Sequence, residues 1–354
     1  MNRSVSRTSI GLVVAGTVLC ALLLAAAAAP ARSRIVWSRF DADGARRVLM
    51  SSRPDGGGLL KLTHPPDGSY DIDAQISPDG SRVLYERDLD PDGNSASFRV
   101  VRSNGRHAEA IDLGCVDPCV VDLGPTWFPD ANRFAFTRVV GPFDGPGGSA
   151  ASAVLHSAKL DGSDRQRLSE AGIDGVYEDY FARFSPDGSY IVFTRNRNQP
   201  FTSAVFRMNA DGTHVRRLTP WGLDADLAVL SPATAGATRD RIAFETYGHG
   251  PPRGKSQNIA TVPSTCRSVG SCSDRIRFLT HNTGAIESGA IKGAFNPAWS
   301  PNGRQIAYTK FKIPANRRNC CVGDIYRMRA NGRDRRPVST SGLFEYRPAW
   351  GLVP

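Results

Sequence analysis

Three features of the sequence predict an all-β chain, a six-bladed β-propeller of four-stranded antiparallel blades. A Ser-Pro-Asp-Gly or Ser-Pro-Asn-Gly turn recurs at Ser77–Gly80, Ser185–Gly188 and Ser300–Gly303, each leading into a strand of alternating character. The aromatic residue of that second strand recurs at Trp37, Tyr85, Phe136, Phe193, Phe244 and Tyr308, at intervals of 48, 51, 57, 51 and 64 residues. Repetition at this period marks a repeat architecture, and four short strands per period are the size of a propeller blade. Third, Tyr346-Arg-Pro-Ala-Trp350 repeats the first-strand pattern of Asn296-Pro-Ala-Trp299 with no second strand after it, while the first unit begins at Ile35 with a second strand and lacks a first. The C-terminal strand is therefore expected to complete the N-terminal blade and remove two exposed edges.

The elements follow in order. Arg34–Ser38 and Arg47–Ser51 form a hairpin across Asp41–Gly44, with Leu59–Thr63 as the next strand. The second unit runs through Ala74–Gly80, Arg82–Tyr85, Phe98–Val101 and Ala110–Leu113, and the third through Pro125–Asp130, Arg133–Phe136, Ala153–His156 and Arg167–Leu168. Phe181–Arg195 opens the fourth, which continues through Ala204–Met208 and Arg217–Thr219. The fifth is degenerate, through Ala228–Pro232, Arg241–Phe244, Asn258–Thr261 and Arg277–Thr280, with a Cys266–Cys272 loop where the others carry an Asp-Gly or Asn-Gly turn. The sixth is regular, through Pro297–Gly303, Gln305–Tyr308 and Asp324–Met328, with a turn at Asn331-Gly332. No long helix is expected between them. A chain of 354 residues, 40% hydrophobic, carries ample core for this, and that hydrophobic content excludes a disordered chain despite 35 Gly and 24 Pro.

Residues 1–31 stand apart. Arg3 and Arg7 precede an uncharged apolar run from Ile10 to Ala29, and Ala29-Pro30-Ala31 offers the small-residue pattern of a signal-peptidase site. An export signal is expected; the run is also long enough for an uncleaved membrane anchor. Leu19 before Cys20 is not the small residue of a lipidation site. The basic N-terminus places Arg32–Pro354 outside the cytoplasm on either reading, periplasmic, secreted or held at the outer membrane face. Without Arg3 and Arg7 the formal charge of +10 becomes +8. Such a surface attracts anions, but export argues against nucleic acid.

Six further cysteines fall in close pairs, Cys115 with Cys119, Cys266 with Cys272, and Cys320 with Cys321. The pairs fit local disulfides in an oxidising compartment. The adjacent Cys320 and Cys321 stay open between a vicinal disulfide, free thiols and another pairing, and zinc is disfavoured because no ligand spacing is present.

The recurring Pro-x-Trp-Ser-Pro-Asp-Gly-x-x-Ile-Ala-Phe-Thr pattern, best seen in Phe181–Leu218 and Asn296–Met328, resembles the WD40-like, TolB-type six-bladed propeller repeat. The resemblance covers nearly all of the chain after residue 31 and implies a scaffold used by envelope binding proteins, peptidase propeller domains and sugar-processing enzymes alike. The first blade begins too soon after residue 31 for the N-terminal α/β domain of TolB, so a Tol-system role is not expected. No α/β-hydrolase domain accompanies it, so neither is peptidase activity.

Catalytic motifs are missing too: the sequence contains no Gly-x-Ser-x-Gly elbow and no His-Glu-x-x-His zinc helix. The histidines are scattered singly, and His249, in the Gly/Pro-rich Tyr247–Gly250 loop, is the one candidate for chemistry. Two acidic groupings remain. Asp88, Asp90 and Asp92 copy the opening of a calcium loop, but its twelfth position is Arg99 instead of Glu, so Ca²⁺ stands beside the reading of a metal-free acidic turn. Asp71, Asp122, Asp179 and Glu345 each lie five residues before the first-strand residues Ile76, Trp127, Phe184 and Trp350, with Glu178, Asp224 and Asp226 at neighbouring positions. Innermost strands ring a channel, so these acids are expected at one mouth of it, to hold a cation or a basic segment of a partner, or else to pair with arginines such as Arg183 and Arg347. The long second-to-third-strand loops, residues 139–152, 196–202, 247–257 and 310–323, open on the same face. The expectation is a monomeric, exported, non-enzymatic module that binds an envelope protein or an anionic envelope polymer through this face. The alternative is a lyase or hydrolase of an acidic sugar, with His249 and a metal at the channel mouth.

Overall fold

The computed structural model describes residues 32–42, 44–90, 95–143, 150–170, 176–198, 200–247, 257–282, 292–312 and 322–354. Cys20, Asp92, His249, Cys320 and Cys321 lie outside them.

The described residues form six four-stranded blades. The second comprises β4 (Tyr70–Ile76), β5 (Arg82–Asp88), β6 (Ala96–Arg102) and β7 (Glu109–Ile111). The third comprises β8 (Cys119–Trp127), β9 (Arg133–Phe143), β10 (Ala150–Lys159) and β11 (Gln166–Arg167), and the fourth β12 (Tyr177–Phe184), β13 (Tyr190–Asn198), β14 (Phe201–Asn209) and β15 (Arg216–Arg217). The fifth comprises β16 (Ala225–Leu230), β17 (Arg241–Thr246), β18 (Asn258–Pro263) and β19 (Arg277–Phe278), and the sixth β20 (Lys292–Trp299), β21 (Gln305–Lys312), β22 (Val322–Arg329) and β23 (Arg336–Ser339). The first blade holds only β1 (Arg32–Phe40), β2 (Arg47–Ser52) and β3 (Leu60–Lys61) from the N-terminal side. Its innermost strand is β24 (Glu345–Val353), which runs antiparallel to β1 from Arg32↔Val353 to Arg39↔Glu345. The expected completion of the first blade by the C-terminal strand is therefore observed. The one α-helix among the described residues, Val269–Ser273, fills the Cys266–Cys272 loop of the fifth blade; no helix among them is long and apolar enough to cross a membrane.

Alternation within the second strands explains why blades stack. In β1, Ile35 and Trp37 face the sixth blade, where they pack with Ala298, Ala307, Ile325 and Val338. Val36 between them faces the second blade and packs with Ala74, Val83 and Tyr85. A period of two with both faces apolar thus buries each central strand between two neighbours. An equivalent apolar cluster fills each of the other interfaces, from the second blade through to the sixth. The repeated aromatic residues Trp37, Tyr85, Phe136, Phe193 and Phe244 are fully buried in these clusters, and Tyr308 is nearly so.

The turns join strands and blades together. In Ser185–Gly188 the Asp187 carboxylate accepts hydrogen bonds from the Ser185 hydroxyl and the Ser189 N–H, which hold its pKa down to about 2. The Asp-Gly turns do more than reverse the chain. Gly212 has φ +84°, and a Cβ there would lie 2.5 Å from the Leu168 carbonyl of the preceding blade, so only glycine permits the approach. In the fifth blade, where the helical loop replaces this turn, the Ser264 carbonyl instead accepts from Arg207 and Arg216 of the fourth.

Deleting Leu343–Pro354 should expose β1 and one face of β20 together. A thermal melt of that truncation is expected to show loss of the cooperative transition; a midpoint close to the full-length protein would refute the closed ring.

Candidate functional site

The innermost strands β24, β4, β8, β12, β16 and β20 meet around the channel, and each carries the same irregularity. A β-bulge interrupts its pairing with the second strand between Ile72 and Gln75, Leu123 and Thr126, Tyr180 and Arg183, Asp226 and Val229, and Phe295 and Ala298, with a matching shift in β24. The bulged residue is left-handed in all six, with φ of 51° at Asp73, 62° at Gly124, 55° at Phe181, 47° at Leu227, 52° at Asn296 and 54° at Arg347. Five of these are not glycine, and such residues hold this conformation only where their surroundings impose it. Each is followed by a buried Ala or Pro.

The surroundings are a set of polar links between blades. Glu86 accepts from the Gly124 N–H at 2.7 Å, and Glu245 from the Asn296 N–H at 2.5 Å. The Asn296 side chain in turn accepts from the Arg347 N–H, and the Arg347 guanidinium pairs with Asp73. Thr137 occupies the position of Glu86 in the third blade and donates to the Asp179 carbonyl of the fourth. Among the described residues, Asp73, Arg183 and Arg347 line the channel, and Glu86, Asp88, Asp226 and Glu245 are in the polar network behind it. Burial, then Asp88 and Asp73, raise the Glu86 carboxyl well above the ordinary range. Burial also pushes Asp88 up to about 6, while burial followed by Asp226 pushes Glu245 up to about 7. The Asp73 carboxylate raises the Arg347 guanidinium against the effect of its burial. Arg183 moves the other way, down to about 10, through burial, with the Asp73 carboxylate opposing the shift and Arg347 adding to it.

A cavity of about 250 Å³ occupies the channel and is lined from all six blades. Its walls come from the second halves of the inner strands, including Ile76, Trp127, Phe184, Leu230, Trp299 and Trp350. It lies at the end marked by the Ser-Pro-Asp-Gly turns, opposite the second-to-third-strand loops.

The acids expected at the mouth do not line this cavity. Asp71, Asp122 and Asp179 are buried within their blades, each in a two-pronged ion pair with the second-strand arginine directly across, at 2.6 and 2.9 Å to Arg87, 2.8 and 2.8 Å to Arg138, and 2.6 and 2.9 Å to Arg195. The partners are these arginines, not Arg183 or Arg347. Glu345 accepts from Trp37 Nε1 and the Ser339 hydroxyl, tying the last strand to the first and sixth blades. Glu178 accepts from Tyr180 and Asn198, Asp224 accepts from the Ser203 N–H and hydroxyl, and half-buried Asp226 accepts from the Leu227 N–H. Asp88 ends strand β5 and is buried beside Glu86 and Asp73 instead of standing in a loop; Asp90 is half-buried in the following turn.

Cys115–Cys119 and Cys266–Cys272 are disulfides, as the spacing suggested. Cys115, Cys119 and Asp122 lie within ligand distance of one another. With both sulfurs in a disulfide and the carboxylate held by Arg138, they offer no metal site.

A closed ring of six blades with these bulged inner strands is a TolB-like propeller fold. No family model matches the chain, and no curated protein does. Among solved structures it is similar to TolB from Acinetobacter baumannii (TM-score 0.61, 19% identity, 90% of this chain and 66% of that one). It is also similar to a putative TolB from Agrobacterium tumefaciens (0.57, 15%, 92% and 100%) and to Kuenenia stuttgartiensis hydrazine synthase (0.65, 11%, 92% and 47%). The chain therefore spans just under two thirds of the first of these chains and about half of the last.

Two predictions separate architecture from chemistry at the acids. Asp179→Asn should cost about 3 kcal/mol, the order expected when a buried pair loses one member, whereas Asp179→Leu with Arg195→Met should recover most of it; urea unfolding of the three proteins measures both. The folded-state pKa of Glu245, about 7 against an ordinary 4.5, means that its contribution to stability is complete below pH 4.5 and lost as the pH rises through 7. Glu245→Gln keeps the acceptor for Asn296 and stays neutral. It should match wild type below pH 4.5 and melt a few degrees higher at pH 8.5, and parallel melting curves across that range would contradict the assignment.

Proposed function

We propose that this chain is an exported, non-enzymatic binding module that recognises an envelope protein through the face carrying the second-to-third-strand loops, with residues 1–31 directing export or anchoring the chain. The observation that carries the reading is the placement of exposed apolar side chains. Val116, Phe201, Leu89 and Val176 are 73%, 55%, 51% and 45% exposed and gather at the loop end of the second, third and fourth blades, whereas the exposed Leu59, Leu60 and Val215 lie on or beside outermost strands and Leu352 near the end of β24. Leu89 follows β5, Val116 precedes β8, Val176 precedes β12 and Phe201 begins β14. Large apolar side chains held in water by a rigid scaffold fit a protein surface better than an anionic polymer. The acids that could have offered chemistry at this end, Asp71, Asp122 and Asp179, are instead occupied by Arg87, Arg138 and Arg195. The two disulfides suit an oxidising compartment outside the cytoplasm.

Crosslinking in intact cells at native abundance should capture a specific protein. The double variant Leu89→Glu with Phe201→Glu should reduce that capture at least tenfold with an unchanged melting midpoint; undiminished capture, or no specific partner, removes the support for this reading.

A further inference from the structure

We infer that the channel cavity is a binding site for a small organic monocarboxylate, seated on the Arg183 guanidinium and flanked by the aromatic wall of the channel. Arg183 lies two residues beyond the left-handed position of its strand. The equivalent residues of the other blades are Gln75, Thr126, Val229, Ala298 and Ala349, all of them lining the same cavity and none of them charged. Arg183 is thus the single ion in its layer. Among the described residues its guanidinium donates from Nη1 to the carbonyl of its own neighbour, Ala182, at 2.8 Å, and no carboxylate lies within ion-pair distance of it. The other guanidinium at the cavity, Arg347, is already neutralised by Asp73.

A half-buried guanidinium at a cavity, with N–H donors left over and no carboxylate within ion-pair distance, is a ready seat for an anion. A group titrating at about 10 is still cationic at neutral pH, so the site demands an anion throughout the physiological range. Geometry selects which kind. The planar fork of arginine matches a carboxylate in two-pronged contact. Asp73 pairs with Arg347 and its charge also reaches Arg183, so one carboxylate serves two guanidiniums and the lining keeps one net positive charge, which one negative charge balances. Trp127, Phe184, Leu230, Trp299 and Trp350 supply apolar walls that a bare inorganic anion would not use. A dry cavity of about 150 Å³ admits benzene, so 250 Å³ leaves room for a ring of that size and its carboxylate. Gln75 and Thr126 add polar side chains on the same layer.

The cavity contains three of the five tryptophans, which makes it its own reporter. Titration with sodium benzoate should give a saturable change in tryptophan fluorescence and a rise in melting temperature. Benzamide, the uncharged counterpart, and sodium phosphate should each bind at least tenfold more weakly. Arg183→Met should lose the benzoate response at least tenfold and, without ligand, melt no lower than wild type. If that variant does not fold, Thr126→Asp serves instead, placing an internal carboxylate on the neighbouring strand that should displace benzoate. The loop-face variant Leu89→Glu with Phe201→Glu should respond to benzoate as wild type does, which separates this site from the partner-binding face. The proposal is overturned by an equal response to benzoate in the Arg183 or Thr126 variant, by equal binding of phosphate, or by no saturable response to benzoate at millimolar concentration.

Discussion

The structure depends on one antiparallel pairing, between Glu345–Val353 and Arg32–Phe40. A propeller blade buries both of its faces against neighbours, so an open array would leave two apolar faces in water and two unpaired strand edges. The last strand removes these together. Its bonds to β1 supply the missing inner strand, Glu345 reaches Trp37 and Ser339, and the cluster of Ile35, Trp37, Ala298 and Ile325 closes the last interface. Arg47 reinforces the join, stacking over Phe40, Tyr70 and Tyr346 and donating to the Tyr346 hydroxyl. Because the ends of the chain are joined, every other interface is held in register.

Closure also explains why five non-glycine residues tolerate left-handed backbone around the channel. A bulge in each inner strand lets its second half turn away from regular pairing, and neighbouring blades bond directly to the bulged N–H at Gly124, Asn296 and Arg347. Glu86 and Glu245 perform this task as carboxylates, at a position where the first, third, fourth and sixth blades carry Ser38, Thr137, Thr194 and Thr309. Burying two acids there has a cost, visible in their raised pKa values. Around the channel, stability and pH sensitivity therefore reside in the same bonds.

The repeat was legible because it is written in local chemistry. Turn residues, alternating strands and a recurring aromatic each satisfy a constraint that acts over a few residues. The acids were read to the right strand end but given the wrong surroundings. Asp71, Asp122 and Asp179 each precede their arginine by 16 residues, a constant separation that pairs them across a hairpin. That signal was present in the chain and outweighs proximity to the channel, since a directly opposed arginine satisfies a carboxylate before any ligand does. Cys115 and Cys119 were legible for a related reason, their partners being near in sequence.

By itself the sequence determined the number of blades, the strand order within them, the closing role of the last strand and the two described disulfides, all of which follow from periodicity and short-range geometry. Only the tertiary structure decided which charges are spent and which remain. Arg183 sits in the same segment as Asp179 and resembles the other arginines of the chain, yet Asp179 is neutralised within its blade while Arg183 faces a cavity with no carboxylate within ion-pair distance. The difference lies in which side of a bulged strand each residue occupies and in what five other blades bring to the axis, and no local pattern encodes that.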